Sequence, residues 1–442
     1  MRVLVLSNLY PPDFLGGYEL GCRQAADALA ESGHDVLVLT SAPLGSGWWM
    51  VDSGWKRHHP PSTIHHPLPS VRRALQLTDV YNPYLQSKHH VVTLGLQHAA
   101  ACFLNAFNVH VLLETLDSFA PDVVYVWNIV GLGGLGLLAC LQYLGVPWVW
   151  HLMDRVPRDL CRLPLGASHS PLTAAVRHYL EGTYLACSRR IVEEIDDPDS
   201  ILNGSVELVP NWIEGERPSP RHRFFTGGRL RVAFAAGHLC PPKGVDLLIE
   251  AARLLRLRGR TDFVFDLYGK VTDDAYPSLI RRHDLGDCVR LQGLRTQAEL
   301  AELYRAYDVF AFPTWEREPF GFAPLEAAAA GCVPVITNNC GIGEWLVHRV
   351  HCWKIERGAA ALADVLGDIL EGRIDLAPIG RRVADVVWKD FHIRRILPRI
   401  ERALARVARQ RRQGTGDARQ AYHLAVLAEK LTQVLIEEWL MA

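Results

Sequence analysis

The feature that most constrains this chain is a repeated alternation of short apolar runs with segments of helical period. Val3 to Leu6 is uniformly apolar, the loop Pro11-Pro12-Asp13-Phe14-Leu15-Gly16-Gly17 follows, and Cys22, Ala25, Ala26, Leu29 and Ala30 then recur at helical spacing before the run Val36 to Leu39. Runs apolar on both faces predict parallel strands covered on both sides by crossover helices. Further strands are expected at Val123 to Val126, Trp148 to Trp150, Tyr184 to Cys187 and Val206 to Val209. After Pro210-Asn211, a stretch with Pro218, Pro220 and Gly227-Gly228 predicts a hinge. The alternation restarts beyond it, at Val232 to Ala235, Val264 to Tyr268, Val289 to Gln292, Val309 to Phe312 and Val333 to Ile336. Two doubly wound α/β domains in series are predicted, facing across a cleft, with ligands outside the carboxyl ends of the strands.

A length of 442 residues exceeds one ordinary core and fits this division. The expected domains are 1–215 and 216–392, followed by C-terminal helices over 393–442. A formal charge of −1 leaves no global field to recruit nucleic acid. Ten cysteines without a C-x-x-C pair read as reduced thiols, and no apolar stretch reaches bilayer-spanning length. A cytoplasmic protein is expected. One segment, about 43–88, breaks the rhythm with Trp48, Trp49, Trp55, His58-His59 and His65-His66 and is read as an insertion. Adjacent histidines diverge and no carboxylate or thiol completes a ligand set, so no metal site is assigned.

The densest motif is Glu318-Pro-Phe-Gly-Phe-Ala-Pro-Leu-Glu326, between a strand end and an alanine-rich helix that stops at Gly331. Gly321 permits close backbone approach to a ligand, and the helix start beyond it offers unpaired N–H groups to phosphate or sugar oxygens. A second loop, Gly237-His238-Leu239-Cys240-Pro241-Pro242-Lys243-Gly244, follows the first strand of the later domain. Together these resemble the E-x7-E glutamates and the lysine loop of family 4 retaining glycosyltransferases, which have the GT-B fold of two Rossmann-like domains. The likeness spans roughly 1–40 and 120–390. It also takes in Val209-Pro210-Asn211, Gly269, Gly293 and Cys340-Gly341-Ile342-Gly343-Glu344.

The resemblance implies transfer of a sugar from a nucleotide diphosphate sugar to an acceptor hydroxyl, with retention and without a metal or other cofactor. It assigns the first domain to the acceptor and the second to the donor. Glu318 would hold sugar hydroxyls, Glu326 the ribose hydroxyls and Lys243 the diphosphate, with Phe320, Gly321, Phe322 and His238 around them. Gly16-Gly17 resembles the family's glycine loop near the donor phosphate. His238 stands where arginine is usual, which removes a fixed charge and a bidentate fork. The family's strand-end histidine has no direct counterpart: with Asp154 aligned on the family aspartate, Met153 takes its place, and either His151, on the same face of an extended strand, substitutes for it or the role is absent. Asn128 and Asp154 are candidates on the acceptor side.

Asp197-Pro198-Asp199 has the D-x-D spacing of metal-dependent transferases but lies in a polar turn and is read as loop. Near the C-terminus, Arg399, Arg402, Arg406 and Arg409 fall on one helical stripe, which is either solvated or a contact for an anionic membrane face. Leu424, Leu427, Leu431 and Val434 have heptad-like spacing, suited to packing on the protein or on a second copy. Competing expectations are an inverting transferase or nucleotide-sugar epimerase of the same fold, and a non-catalytic sugar-binding relative. A dehydrogenase is disfavoured because no G-x-G-x-x-G links a strand to a helix.

Overall fold

The computed structural model describes residues 1–14, 16–42, 68–78, 101–162, 179–219, 224–315, 318–410 and 414–441. The chain forms two compact units. Unit 1 comprises Met1–Ala186, Ile191–Val209 and Leu397–Ala442, and unit 2 comprises Cys187–Arg190 and Pro210–Ile396. The division thus falls at 209/210, ahead of the glycine-rich stretch, and residues from 397 onward return to unit 1 instead of standing as a separate C-terminal body.

Unit 1 runs β1 (Arg2–Leu6), α1 (Gly17–Glu31), β2 (Asp35–Ser41), β3 (Ser70–Leu75), α2 (Ala106–Phe119), β4 (Val123–Val126), α3 (Gly134–Tyr143), β5 (Trp148–Leu152), α4 (Val156–Leu160), β6 (Leu180–Ala186), α5 (Arg189–Ile195) and β7 (Leu202–Leu208). Its seven strands are parallel, in the order β3-β2-β1-β4-β5-β6-β7. Val3 through Leu6 and Val123 through Val126 are fully buried, as central strands covered on both faces must be. The order reverses between β1 and β4, and the carboxyl edge of the sheet at such a switch point is where doubly wound folds bind ligands.

The segment read as an insertion contributes one element of the fold, since β3 pairs with β2 from Leu37↔Ser70 onward. Its three tryptophans and both histidine doublets lie outside the described residues.

Unit 2 runs β8 (Leu230–His238), α6 (Val245–Leu257), β9 (Phe263–Lys270), α7 (Ala275–Arg282), β10 (Val289–Gly293), α8 (Gln297–Tyr304), β11 (Val309–Phe312), α9 (Phe322–Ala329), β12 (Val333–Thr337), β13 (Trp353–Ile355), α10 (Ala359–Leu370) and α11 (Leu376–Asp390). Six parallel strands lie in the order β10-β9-β8-β11-β12-β13. The switch point is between β8 and β11. The two motif loops of the sequence leave these two adjacent strands.

Helix α12 (Ile393–Arg409) carries the chain back to unit 1, burying Ile400, Ala403, Leu404 and Val407. Its basic stripe is partly used inside unit 1: Arg399 donates to the Leu208 carbonyl and Arg406 pairs with Glu207 at the end of β7, while Arg402 and Arg409 are exposed. Helix α13 (Ala418–Met441) packs along α2 through Ala421 and Ala425, and Glu429 accepts from the Ala106 N–H at 2.8 Å. The heptad-spaced leucines are not the residues that pack, because Leu424, Leu427 and Leu431 are each more than half exposed. No helix among the described residues is long and apolar enough to cross a membrane.

Candidate functional site

In unit 2, β8 runs into a short turn over Pro241–Lys243, and β11 runs into Pro313 and Thr314. The Trp315 N–H donates to the Pro242 carbonyl at 2.8 Å, which ties the two loops together. This brings Lys243 and Glu318, 75 residues apart, into an ion pair of 2.5 Å between Nζ and Oε2. Glu318 is only 7% exposed. Its Oε2 also accepts from the Thr314 hydroxyl at 3.1 Å, and Thr314 is fully buried. A carboxylate at this depth requires such partners, since an uncompensated buried charge is strongly destabilising.

The backbone around Glu318 is held from the far side by the turn Gly341–Glu344. Gly341 N–H donates to the Glu318 carbonyl at 3.1 Å and Ile342 N–H to the Phe320 carbonyl at 2.8 Å. Gly341 permits this approach, because a Cβ there would stand 1.9 Å from the Pro319 carbonyl oxygen. Gly321 caps α9 with φ +99°, a left-handed conformation that suits glycine. Lys243 Nζ lies 5.8 Å from the centre of the Phe312 ring, on the strand that delivers the second loop.

Glu326, in α9, accepts from the Gln297 amide. Burial pushes its carboxyl up to about 7, the charge of Glu214 acts in the same direction, and the Gln297 hydrogen bond opposes them. A group so tuned is poised to accept hydroxyl donors, which would compensate its desolvation. His238 ends β8 opposite Lys270 and is half-buried. Burial first, and then the Lys270 charge, lower its pKa, so it is less readily cationic than an ordinary histidine. Phe322 is half-buried at the start of α9. Phe320 departs from expectation: its ring is 1% exposed, so it belongs to the core of unit 2 instead of an open face.

In unit 1, the loops after β1 and β4 meet. The Asn8 N–H donates to the Asn128 carbonyl at 2.6 Å, and Asn128 Nδ2 donates to Glu19 Oε1 at 3.1 Å. Glu19 Oε2 accepts from the Gly16 N–H at 3.0 Å at the start of α1, which fixes the glycine pair. A Cβ at Gly16 would meet nothing within 4 Å. Arg73, from β3, donates to the carbonyls of Tyr10 and Pro11 at 3.0 and 2.7 Å and to Asp13 at 3.3 Å, bracing the loop that leads to Gly16.

His151 is elsewhere. It is 0% exposed, stacks on Trp127 with ring centres 4.6 Å apart, and its Nδ1 lies 2.6 Å from the Tyr125 hydroxyl. Its own carbonyl accepts from the Tyr18 hydroxyl at 2.5 Å. Burial lowers its pKa to about 3, so it stays neutral in the core. The catalytic role expected of it does not suit this depth: strand alternation carries no measure of how far a face is covered, and every residue of β5 is buried. Asp154, beyond the end of β5, is exposed and accepts from the Arg155 N–H at 2.8 Å.

Asn8, Gln297, Thr314, Glu19 and Arg73 were missed by sequence reading. Thr314 directly follows a strand end, and Glu19 stands three residues after Gly16 at capping-box spacing, which are signals that exist in the sequence. Arg73 has none, since its strand is polar. Among the described residues, no group of three or more His, Cys, Asp or Glu side chains is placed to hold a metal ion.

A family model described as "Glycosyl transferases group 1" matches residues 221–383. The chain is similar to the glycogen synthase of Mycobacterium tuberculosis, 28% identical over 385 residues that cover 84% of this chain and 86% of the relative. It also matches the amylovoran biosynthesis glycosyltransferase AmsK of Erwinia amylovora, 29% identical over 39% of this chain and 44% of the relative. Among solved structures, the sucrose-phosphate synthase of Thermosynechococcus elongatus superposes with a TM-score of 0.65 at 16% identity, covering 92% of this chain and 99% of that one. Anabaena HepE in complex with UDP and glucose gives 0.62 at 18%, covering 92% and 100%. At such identity these two structures show the fold, which is GT-B as expected. The family model and the similar sequences support a glycosyltransferase.

Proposed function

We propose that this chain transfers a hexosyl group from a nucleotide diphosphate sugar to an acceptor hydroxyl, with retention of configuration and without a metal, in the manner of family 4. The observation that carries this is the convergence of Lys243, Glu318 and Thr314 at the switch point of unit 2, with Glu326 on the helix that follows. In this reading the Lys243 ammonium and the N–H groups that begin α9 stabilise the charge on the departing diphosphate. Glu318 accepts from sugar hydroxyls and Glu326 from ribose hydroxyls, a task suited to carboxylates because each oxygen accepts more than one donor. In unit 1, Gly16, Gly17 and the Asn8–Asn128–Glu19 cluster, with Asp154, are assigned to the acceptor side by the same reading. His238 and Phe322 line the donor. The reaction would run in the cytoplasm.

UDP and glucose accompany HepE, which makes UDP-glucose the first donor to try. The test is to incubate the protein with UDP-, GDP- and ADP-sugars, an acceptor panel and a chelator. Released nucleotide is measured, and the product's anomeric proton is followed by NMR. Retained configuration and chelator-resistant turnover support the reading; inverted product, or dependence on added metal, contradicts it.

A further inference from the structure

We propose that the Lys243–Glu318 pair makes the site discriminate between a nucleotide sugar and the bare nucleotide it leaves behind, with Thr314 as the positioning residue for Glu318. This rests on the reading of unit 2 as the donor site.

Lys243 and Glu318 are paired at 2.5 Å. The two ends of the pair differ in exposure: the Lys243 side chain is 34% exposed and that of Glu318 only 9%. A diphosphate that draws Lys243 away therefore takes the cation from a nearly buried carboxylate. Thr314 supplies one remaining hydrogen bond, at 3.1 Å. A bare nucleotide offers nothing to replace the lost cation, and the carboxylate's desolvation opposes its binding. A nucleotide sugar brings hydroxyls that donate to the same oxygens and offset the loss. The pair thus penalises the product relative to the donor, which favours release of the nucleotide once the sugar has gone. Thr314, with no solvent exposure, holds Oε2 in the orientation that both partners require.

Calorimetric titrations of the full chain with UDP and UDP-glucose, and with the GDP and ADP pairs, test this. In Glu318→Gln the amide releases Lys243 more cheaply, so the nucleoside diphosphate should bind roughly five- to tenfold tighter while the nucleotide sugar gains nothing. The near-isosteric Thr314→Val should lower nucleotide-sugar affinity about fivefold relative to the bare nucleotide, and Thr314→Ser should restore it. Melting curves establish that each variant is folded, and the Thr314 pair keeps the test decisive if Glu318→Gln is not. Nucleoside diphosphate binding that is unchanged or weaker in Glu318→Gln, or an equal loss of both ligands in Thr314→Val, overturns the proposal. Failure of the donor-site reading itself looks different: wild-type protein binds no nucleotide in either form, or Lys243→Ala binds as well as wild type.

Discussion

At the scale of single residues, the most consequential charge is the one on Glu326. Its carboxyl is raised from 4.5 to about 7, chiefly by burial. The folded protein therefore retains a proton that the unfolded chain releases. The resulting stability is fully present below pH 4.5 and is lost as pH rises through about 7. Glu326→Gln should flatten this slope and raise stability at pH 8 by ~1–3 kcal/mol, with little change at pH 4.5. Chemical denaturation at the two pH values checks it. Nucleotide affinity should rise over the same pH window in wild type only, since the ionised carboxylate is the stronger acceptor for the ribose hydroxyls proposed to bind there. Glu318, Lys243 and Glu326 stood out in the sequence through their resemblance to the E-x7-E and lysine-loop motifs, and the structure pairs the first two. The burial of His151 was not legible, because alternation along a strand gives the face but not the depth.

At the scale of elements, the central strands and the edge strands β7 and β10 were legible, and the other two edges were not. β1, β4, β8 and β11 are short runs of apolar residues, and burial on both faces leaves them no other composition. β3 reads Ser-Val-Arg-Arg-Ala-Leu and β13 is only Trp-Lys-Ile; both are edge strands, free to carry polar residues, and neither shows an apolar run. The loop carrying Glu318 depends on a contact that no local pattern announces, the close approach of Gly341. Gly341→Ala places a carbon against the Pro319 carbonyl and should cost ~1–3 kcal/mol or more, since the obstacle is backbone and cannot rotate away. A lowered urea midpoint, together with weakened nucleotide binding from the displaced Glu318, is the expected result. An unchanged midpoint would mean that the loop yields freely.

At the scale of the molecule, two sheets of the same construction were legible because the alternation stops and restarts around Pro210. That α12 and α13 complete unit 1 was not legible: an amphipathic helix shows which side it buries, not which partner receives it. A two-unit chain with a net charge of −1 has no global field to concentrate an anionic ligand. In the proposed reading, binding comes from the local charges of unit 2, and this is the claim to test most directly. Thermal melting of the full chain with UDP, GDP and ADP and their sugars should show a rise with one nucleotide family, abolished in Lys243→Ala and reduced in Glu326→Ala. A rise that survives in Lys243→Ala, or one produced only by NAD or a free glycan, would contradict the assignment of unit 2 as the donor site.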